Sequence, residues 1–154
     1  MKPVIFLDID GVLNTLEQSI HPCGREAFSP EAVPALQEIL KRTGAEIVIS
    51  SSWREDIAGR IAPAFESNGL GGASRRIIGH TPILPEASPE TRRADEIDAW
   101  LHQNPEYRRH FLVFDDDPCV RSAFPRRHIL THESIGLTSS HVELAVKILL
   151  RKPG

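Results

Sequence analysis

The sequence predicts an α/β fold in which a parallel sheet carries helices on both faces. Apolar runs that fit buried strands alternate with helix-like segments. Three of these runs end in polar residues: Asp8 and Asp10 after Val4–Leu7, Ser50 and Ser51 after Glu46–Ile49, and Asp115 and Asp116 after Phe111–Phe114. In open parallel sheets ligands bind beyond the carboxyl ends of the strands, so these groups are expected on one edge.

Val4-Ile-Phe-Leu-Asp-Ile-Asp-Gly begins as a buried strand and ends in two carboxylates spaced two apart. Residues i and i+2 converge only while a strand stays regular; where it turns, each takes its own role. Neighbouring carboxylates repel and raise one another's pKa, which points to a divalent metal, an acid/base pair or both. The alternative is an Asp-X-Asp-Gly turn whose carboxylates cap backbone N–H groups.

Ser29-Pro30-Glu31 reads as the start of a helix that runs to Gly44 with Val33, Leu36, Ile39 and Leu40 as its apolar stripe. Glu46–Ser50 is the second strand, and a helix over 55–68 follows, with Gly69 as its stop and Pro63 able to kink or shorten it. The Gly- and Pro-rich stretch 69–90 offers only Arg76-Ile77-Ile78 as a short edge strand. A helix over 91–103 buries Ile97, Trp100 and Leu101. Phe111–Phe114 and His128–Thr131 complete the sheet, and Ser139-Ser140 opens a closing helix through Leu150.

At 154 residues the chain reads as one domain, 1–154, and its 25% of charged residues and net charge of −3 give no global signature for nucleic acid or membrane. Cys23 and Cys119 form no Cys-x-x-Cys pair, so neither a zinc site nor a disulfide framework is indicated. Cys119 reads as a small buried hydrophobe, and His21, His80 and His132 as surface or supporting groups. The apolar run before Asp8 is too short for a signal-peptide core and no window approaches a membrane span, so a cytoplasmic location is expected.

On these motifs the sequence resembles the haloacid dehalogenase (HAD-like) superfamily of aspartate-nucleophile phosphohydrolases. Asp8-Ile9-Asp10-Gly11-Val12 matches the first motif, a hydroxyl ending the second strand the second, Arg93 the cation of the third, and Asp115-Asp116 the acidic fourth. More narrowly, Leu13-Asn14, Ser-Ser-Trp-Arg, the helix carrying Arg93, Glu96, Ile97, Trp100 and Leu101, and Gly136-Leu-Thr138 look like the compact phosphatase domains associated with multi-domain RNA repair proteins. The resemblance implies a three-layer Rossmann-like sheet and a Mg²⁺-dependent phosphatase working through an aspartyl-phosphate. Asp8 would be nucleophile and Asp10 acid/base, with Ser51 (or Ser50) and Arg93 (or Arg92) holding the phosphoryl oxygens. Gly11, Ser50, Ser52 and Arg54 would surround the substrate, and Asp8, Asp10 through its backbone carbonyl, Asp115 and Asp116 would supply the metal's ligands.

Relatives acting on small metabolites usually carry an inserted cap, for which the stretches 14–46 and 53–92 leave little room. An open site suits macromolecular ends. Arg25, Arg54, Arg75-Arg76, Arg92-Arg93 and Arg126-Arg127 are candidates for a basic rim, and a terminal phosphate of RNA or DNA ranks ahead of a phosphoprotein or small metabolite. The other class considered is a receiver-like phospho-accepting signalling module, against which Asp10, two residues beyond the nucleophile on strand one, argues.

Overall fold

The computed structural model describes residues 1–20 and 26–151, apart from the side chain of Ser19; Cys23, His21 and Arg25 lie outside the described residues. Five parallel strands form one sheet in the order β3-β2-β1-β4-β5: β1 (Val4–Leu7), β2 (Glu46–Ile49), β3 (Ile77–His80), β4 (Phe111–Asp115) and β5 (His128–Leu130). The three central strands are apolar on both faces because helices cover both. Ile5, Leu7, Ile47, Ile49, Leu112 and Phe114 pack toward a layer containing α2 (Ala32–Thr43), α3 (Ala62–Ser67) and α7 (Val142–Leu149). Val4, Phe6, Val48, Phe111 and Val113 face α5 (Arg92–Gln103) and α6 (Pro118–Ala123). Phe6 meets Trp100 of α5 edge-to-face at 5.3 Å.

Register decides what reaches the carboxyl edge. Leu7 is level with Ile49 on one side and Phe114 on the other. One residue on, Asp8 N donates to Phe114 O and Ser50 N to Leu7 O, both at 3.1 Å. Strand alternation then places Asp8, Ser50 and Asp115 on the face of Phe6, Val48 and Val113, which is the α5 face.

Several elements depart from the sequence expectation. The helix expected over 55–68 is instead a 3₁₀ turn at Ser52–Asp56, a π turn at Ile57–Ile61 and then α3. Pro63 cannot donate to the preceding turn, and Asp56 accepts from Gly59 N at 2.9 Å, so the winding resets between them. Three short helices, α1 (Leu16–Ile20), α4 (Gly71–Ser74) and α6, were not anticipated. The signal for α6 was present, since Asp117 caps Cys119 N and Pro118 occupies the first helical position. The closing helix is capped by Thr138 rather than by Ser139-Ser140: Thr138 N donates to His141 Nδ1 at 3.0 Å, and a 3₁₀ turn over Ser139–His141 leads into α7. Cys119 is exposed rather than buried, because α6 turns it outward.

The paired arginines are also relocated. Arg75-Arg76 and Arg126-Arg127 immediately precede β3 and β5, and in a parallel sheet that is the amino edge, opposite Asp8. Arg76 donates to the carbonyls of Leu40 and Ala45, and Arg127 to those of Phe111 and Arg109. Neither pair rims the carboxyl edge.

Candidate active site

Past Leu7 the chain leaves the sheet and coils tightly, with the N–H groups of Val12, Leu13 and Asn14 all donating to Ile9 O. This turn separates the two aspartates of the first motif. Asp8 stays in line with β1, accepts from Ile9 N at 2.9 Å and pairs with Arg93 at 3.2 Å. Asp10 swings away, its Oδ1 accepting from Asn14 Nδ2 at 2.9 Å and its Oδ2 from Trp53 Nε1 at 3.2 Å. Gly11 lies between them with φ +82°, and a methyl group there would collide with the carboxylate of Asp116. Glycine is needed for both reasons. The Gly11 carbonyl is held by Thr131 Oγ1 at 2.7 Å, which ties the first motif to the end of β5.

Arg93, in the first turn of α5, reaches across the face of the sheet to bond Asp115 Oδ2 at 2.8 Å as well as Asp8. Asp115 Oδ1 in turn accepts from Asp117 N at 3.0 Å. Carboxylate oxygens of Asp8, Asp115 and Asp116 all lie within 4.8 Å of one another. Three acids thus share one guanidinium. Burial, then repulsion from Asp115, pushes the Asp8 carboxyl well above its ordinary range despite Arg93. Burial likewise raises Asp115, to about 6, and Asp116, while Arg93 is raised by Asp8 and Asp115 against the opposing effect of its own burial. The donor set is all carboxylate oxygen with an uncompensated negative charge, and this fits a hard divalent cation such as Mg²⁺. The side chain of Asp10 does not join that set, since it is directed to Asn14 and Trp53.

The second motif divides its roles. Ser51 Oγ accepts from Trp53 N at 3.1 Å and so caps the 3₁₀ turn. Ser50 Oγ is fully buried with no hydrogen-bond partner among the described residues, on the α5 face with Asp8. Ser52 is exposed. Arg54 is spent internally, donating to Ser51 O at 3.2 Å and to Glu96 Oε2 at 2.7 Å in a buried ion pair. Arg92 turns from the site to the carbonyls of Pro85 and Ala87, which leaves Arg93 as the cation among the acids.

Sequence reasoning had not singled out Trp53, Asn14 or Glu96 individually. Trp53 is buried, stacked under Arg60 with the guanidinium carbon 3.5 Å from the ring centroid, and aims its N–H at Asp10. Glu96 also accepts from Leu84 N at 3.1 Å and thereby fastens the loop after β3 to α5. A buried glutamate one turn beyond Arg93 on the apolar stripe of a helix was the readable signal, because such a group needs a buried partner.

A family model for the HAD domain in Swiss Army Knife RNA repair proteins matches residues 4–142. The chain belongs to that family, which is of hydrolase and phosphatase type. No curated protein and no solved structure matches it significantly. Among the described residues no helix is long and apolar enough to cross a membrane.

The crowded acids have a thermodynamic consequence. A group whose pKa is higher in the folded protein contributes stability at low pH that is lost as pH rises through that value. With chelator present, the cluster should therefore weaken the fold progressively as pH passes from the ordinary carboxyl range through about 6, the value for Asp115. Mg²⁺ should restore what is lost. Thermal melts from about pH 5 to about pH 8 should show a Mg²⁺-induced rise in Tm that grows with pH; an increment that is constant or shrinks with pH would refute this electrostatic picture.

Proposed function

We propose that this HAD-domain chain is a Mg²⁺-dependent phosphohydrolase that works through an aspartyl-phosphate and acts on a terminal phosphate of a nucleic acid. The observation that carries the reading is Arg93 held between Asp8 and Asp115 with Asp116 alongside, at the carboxyl edge of the sheet. A phosphoryl group brought there would meet a carboxylate positioned for attack and a guanidinium for its nonbridging oxygens.

Asp8 attacks phosphorus as the bond to the leaving oxygen breaks, and Asp10 supplies the proton that oxygen needs. Water then attacks the aspartyl-phosphate, Asp10 takes the proton, and inorganic phosphate departs with Asp8 restored. Asp8, Asp115 and Asp116, with the Asp10 carbonyl, would hold Mg²⁺, whose charge offsets the repulsion between carboxylate and phosphate. Of the two serines, Ser50 is better suited to a phosphoryl oxygen, because it shares a face with Asp8 and its hydroxyl is unpartnered among the described residues. Trp53 and Asn14 fix the rotamer of Asp10. The family's association with RNA repair favours a nucleic-acid end over a phosphopeptide or metabolite.

Turnover should be assayed across 3′- and 5′-phosphorylated RNA and DNA, phosphopeptides and phosphometabolites. Nucleic-acid ends are expected to give the highest kcat/KM and EDTA to abolish activity on every substrate; a wide preference for a metabolite would refute the substrate class. Asp8→Asn should eliminate turnover and Asp10→Asn should reduce it by roughly 10²–10⁴, and near-normal activity of Asp8→Asn would rule out the covalent route.

Ser51→Ala should mainly lower stability, by about 1 kcal/mol for a lost cap. Ser50→Ala should mainly lower kcat/KM, and the reverse pattern would exchange the two roles.

If Trp53 serves Asp10, Trp53→Phe should slow alkyl phosphates, which need leaving-group protonation, more than activated aryl phosphates, which do not. Equal slowing would mean that Trp53 matters only for folding.

A further inference from the structure

Away from the acid cluster, a cleft of about 320 Å³ crosses the open edge of β5, between α6 on one layer and α7 on the other. Arg121, Arg126, Lys147 and Arg151 line it, all exposed, and no carboxylate does. Pro125, Leu144 and Ile148 give it an apolar floor. Four cations gathered without an acid, on a chain whose net charge is −3, form a local field opposite to that of the whole molecule. Like charges crowd at its margin, since Arg127 is lowered by burial and then by Arg151.

His128 adds a second, independent feature. It lines the same cleft, is 4% exposed, and its Nδ1 has no hydrogen-bond partner among the described residues. Its Nε2 lies 2.9 Å from the carbonyl of Asp115, which can only accept, so the ring hydrogen is on Nε2. The residue whose carboxylate joins the acid cluster is therefore bonded through its backbone to the wall of the cleft. Arg121 stands on α6, whose first residue follows Asp117 directly.

We propose that this cleft seats the phosphodiester backbone of the strand whose end enters the site. This rests on the reading of the site as acting on a nucleic-acid end. Repeating phosphates match these exposed cations; Arg126 stands at the amino edge, opposite Asp8, but β5 is only three residues long, so a nucleic-acid strand that follows its open edge for about 10 Å passes from the cleft to the carboxyl edge and brings its terminal phosphate toward Asp8. A globular acidic partner fits less well, because the cations line a concave cleft rather than a flat face.

The test is binding of RNA and DNA oligonucleotides of one sequence with hydroxyl groups at both ends, so that the phosphatase centre has nothing to hold. Fluorescence anisotropy across a salt series should show binding that weakens with salt. Arg126→Glu/Lys147→Glu should cut affinity by about tenfold or more and flatten the log–log salt slope by about 1.4, at about 0.7 per lost single-strand phosphate contact. Arg126→Gln/Lys147→Gln should give an intermediate loss, which guards against misfolding of the reversal. Lys41→Glu/Arg75→Glu makes the same change in net charge at exposed positions remote from the cleft and should alter affinity by less than about twofold. Comparison of the RNA and DNA arms assigns the source of the backbone.

Unchanged binding in the cleft variants would overturn the proposal, as would a response confined to an acidic peptide such as oligoglutamate. If oligonucleotides bind through the cleft but their terminal phosphates are never released, the phosphatase reading fails and the cleft stands. If end phosphates are released and the variants leave kcat/KM on oligonucleotides unaltered, the cleft fails and the phosphatase reading stands.

Discussion

The crowding of Asp8, Asp115 and Asp116 around one guanidinium is the constraint from which the rest of the carboxyl edge follows. Buried like charges are costly, and a single Arg93 does not neutralise three of them. The structure tolerates them because Asp8 accepts from the N–H of Ile9 and Asp115 from that of Asp117, while Asp116 has room beside the bare Cα of Gly11. An arrangement poorly suited to stability is well suited to receiving a divalent cation and a phosphoryl group, each of which brings what the other two partners lack.

Asp10 shows how one turn resolves a conflict between two neighbouring carboxylates. Had β1 continued straight, it would have joined Asp8 on the α5 face and worsened the repulsion. Coiling around Ile9 O instead delivers it to two neutral donors, Asn14 and Trp53, outside the acid cluster. Separation of environment is what would let two aspartates two residues apart take the different roles proposed for them, nucleophile and proton carrier.

Much of this was legible in the sequence, and what was not has identifiable causes. The strands, the carboxyl-edge convergence and the family were readable because apolar runs ending in acids or hydroxyls leave little freedom in a parallel sheet. Arg93 was favoured over Arg92 by resemblance, and helical phase agrees, since Arg93 shares a stripe with Ile97 and Trp100. The paired arginines misled when read by composition, although strand direction alone sends residues preceding β3 and β5 to the far edge. The 3₁₀ and π turns after β2 were hidden because windings bonded i→i+3 and i→i+5 over five residues each are too short to show a period of their own. Trp53 as the partner of Asp10 was hidden for the same reason, as its aim depends on those turns.

The Arg54–Glu96 pair gives the two flanks of the site unequal freedom to change. Glu96 is clasped by Arg54 and by Leu84 N, so the turn after β2, the loop after β3 and the first turns of α5 are bolted into one unit. Substitutions that reshape that loop would be felt at Arg93, and removing either ion would leave the other buried and uncompensated, at a cost of roughly 3–5 kcal/mol. Among the described residues no buried ion pair braces the outer side of β5, where Arg121 of α6 reaches the carbonyl of His128 at 3.5 Å. Divergence among relatives in what they grip is therefore expected to accumulate along β5, α6 and α7, while the β2–β3 flank stays nearly fixed whatever the substrate.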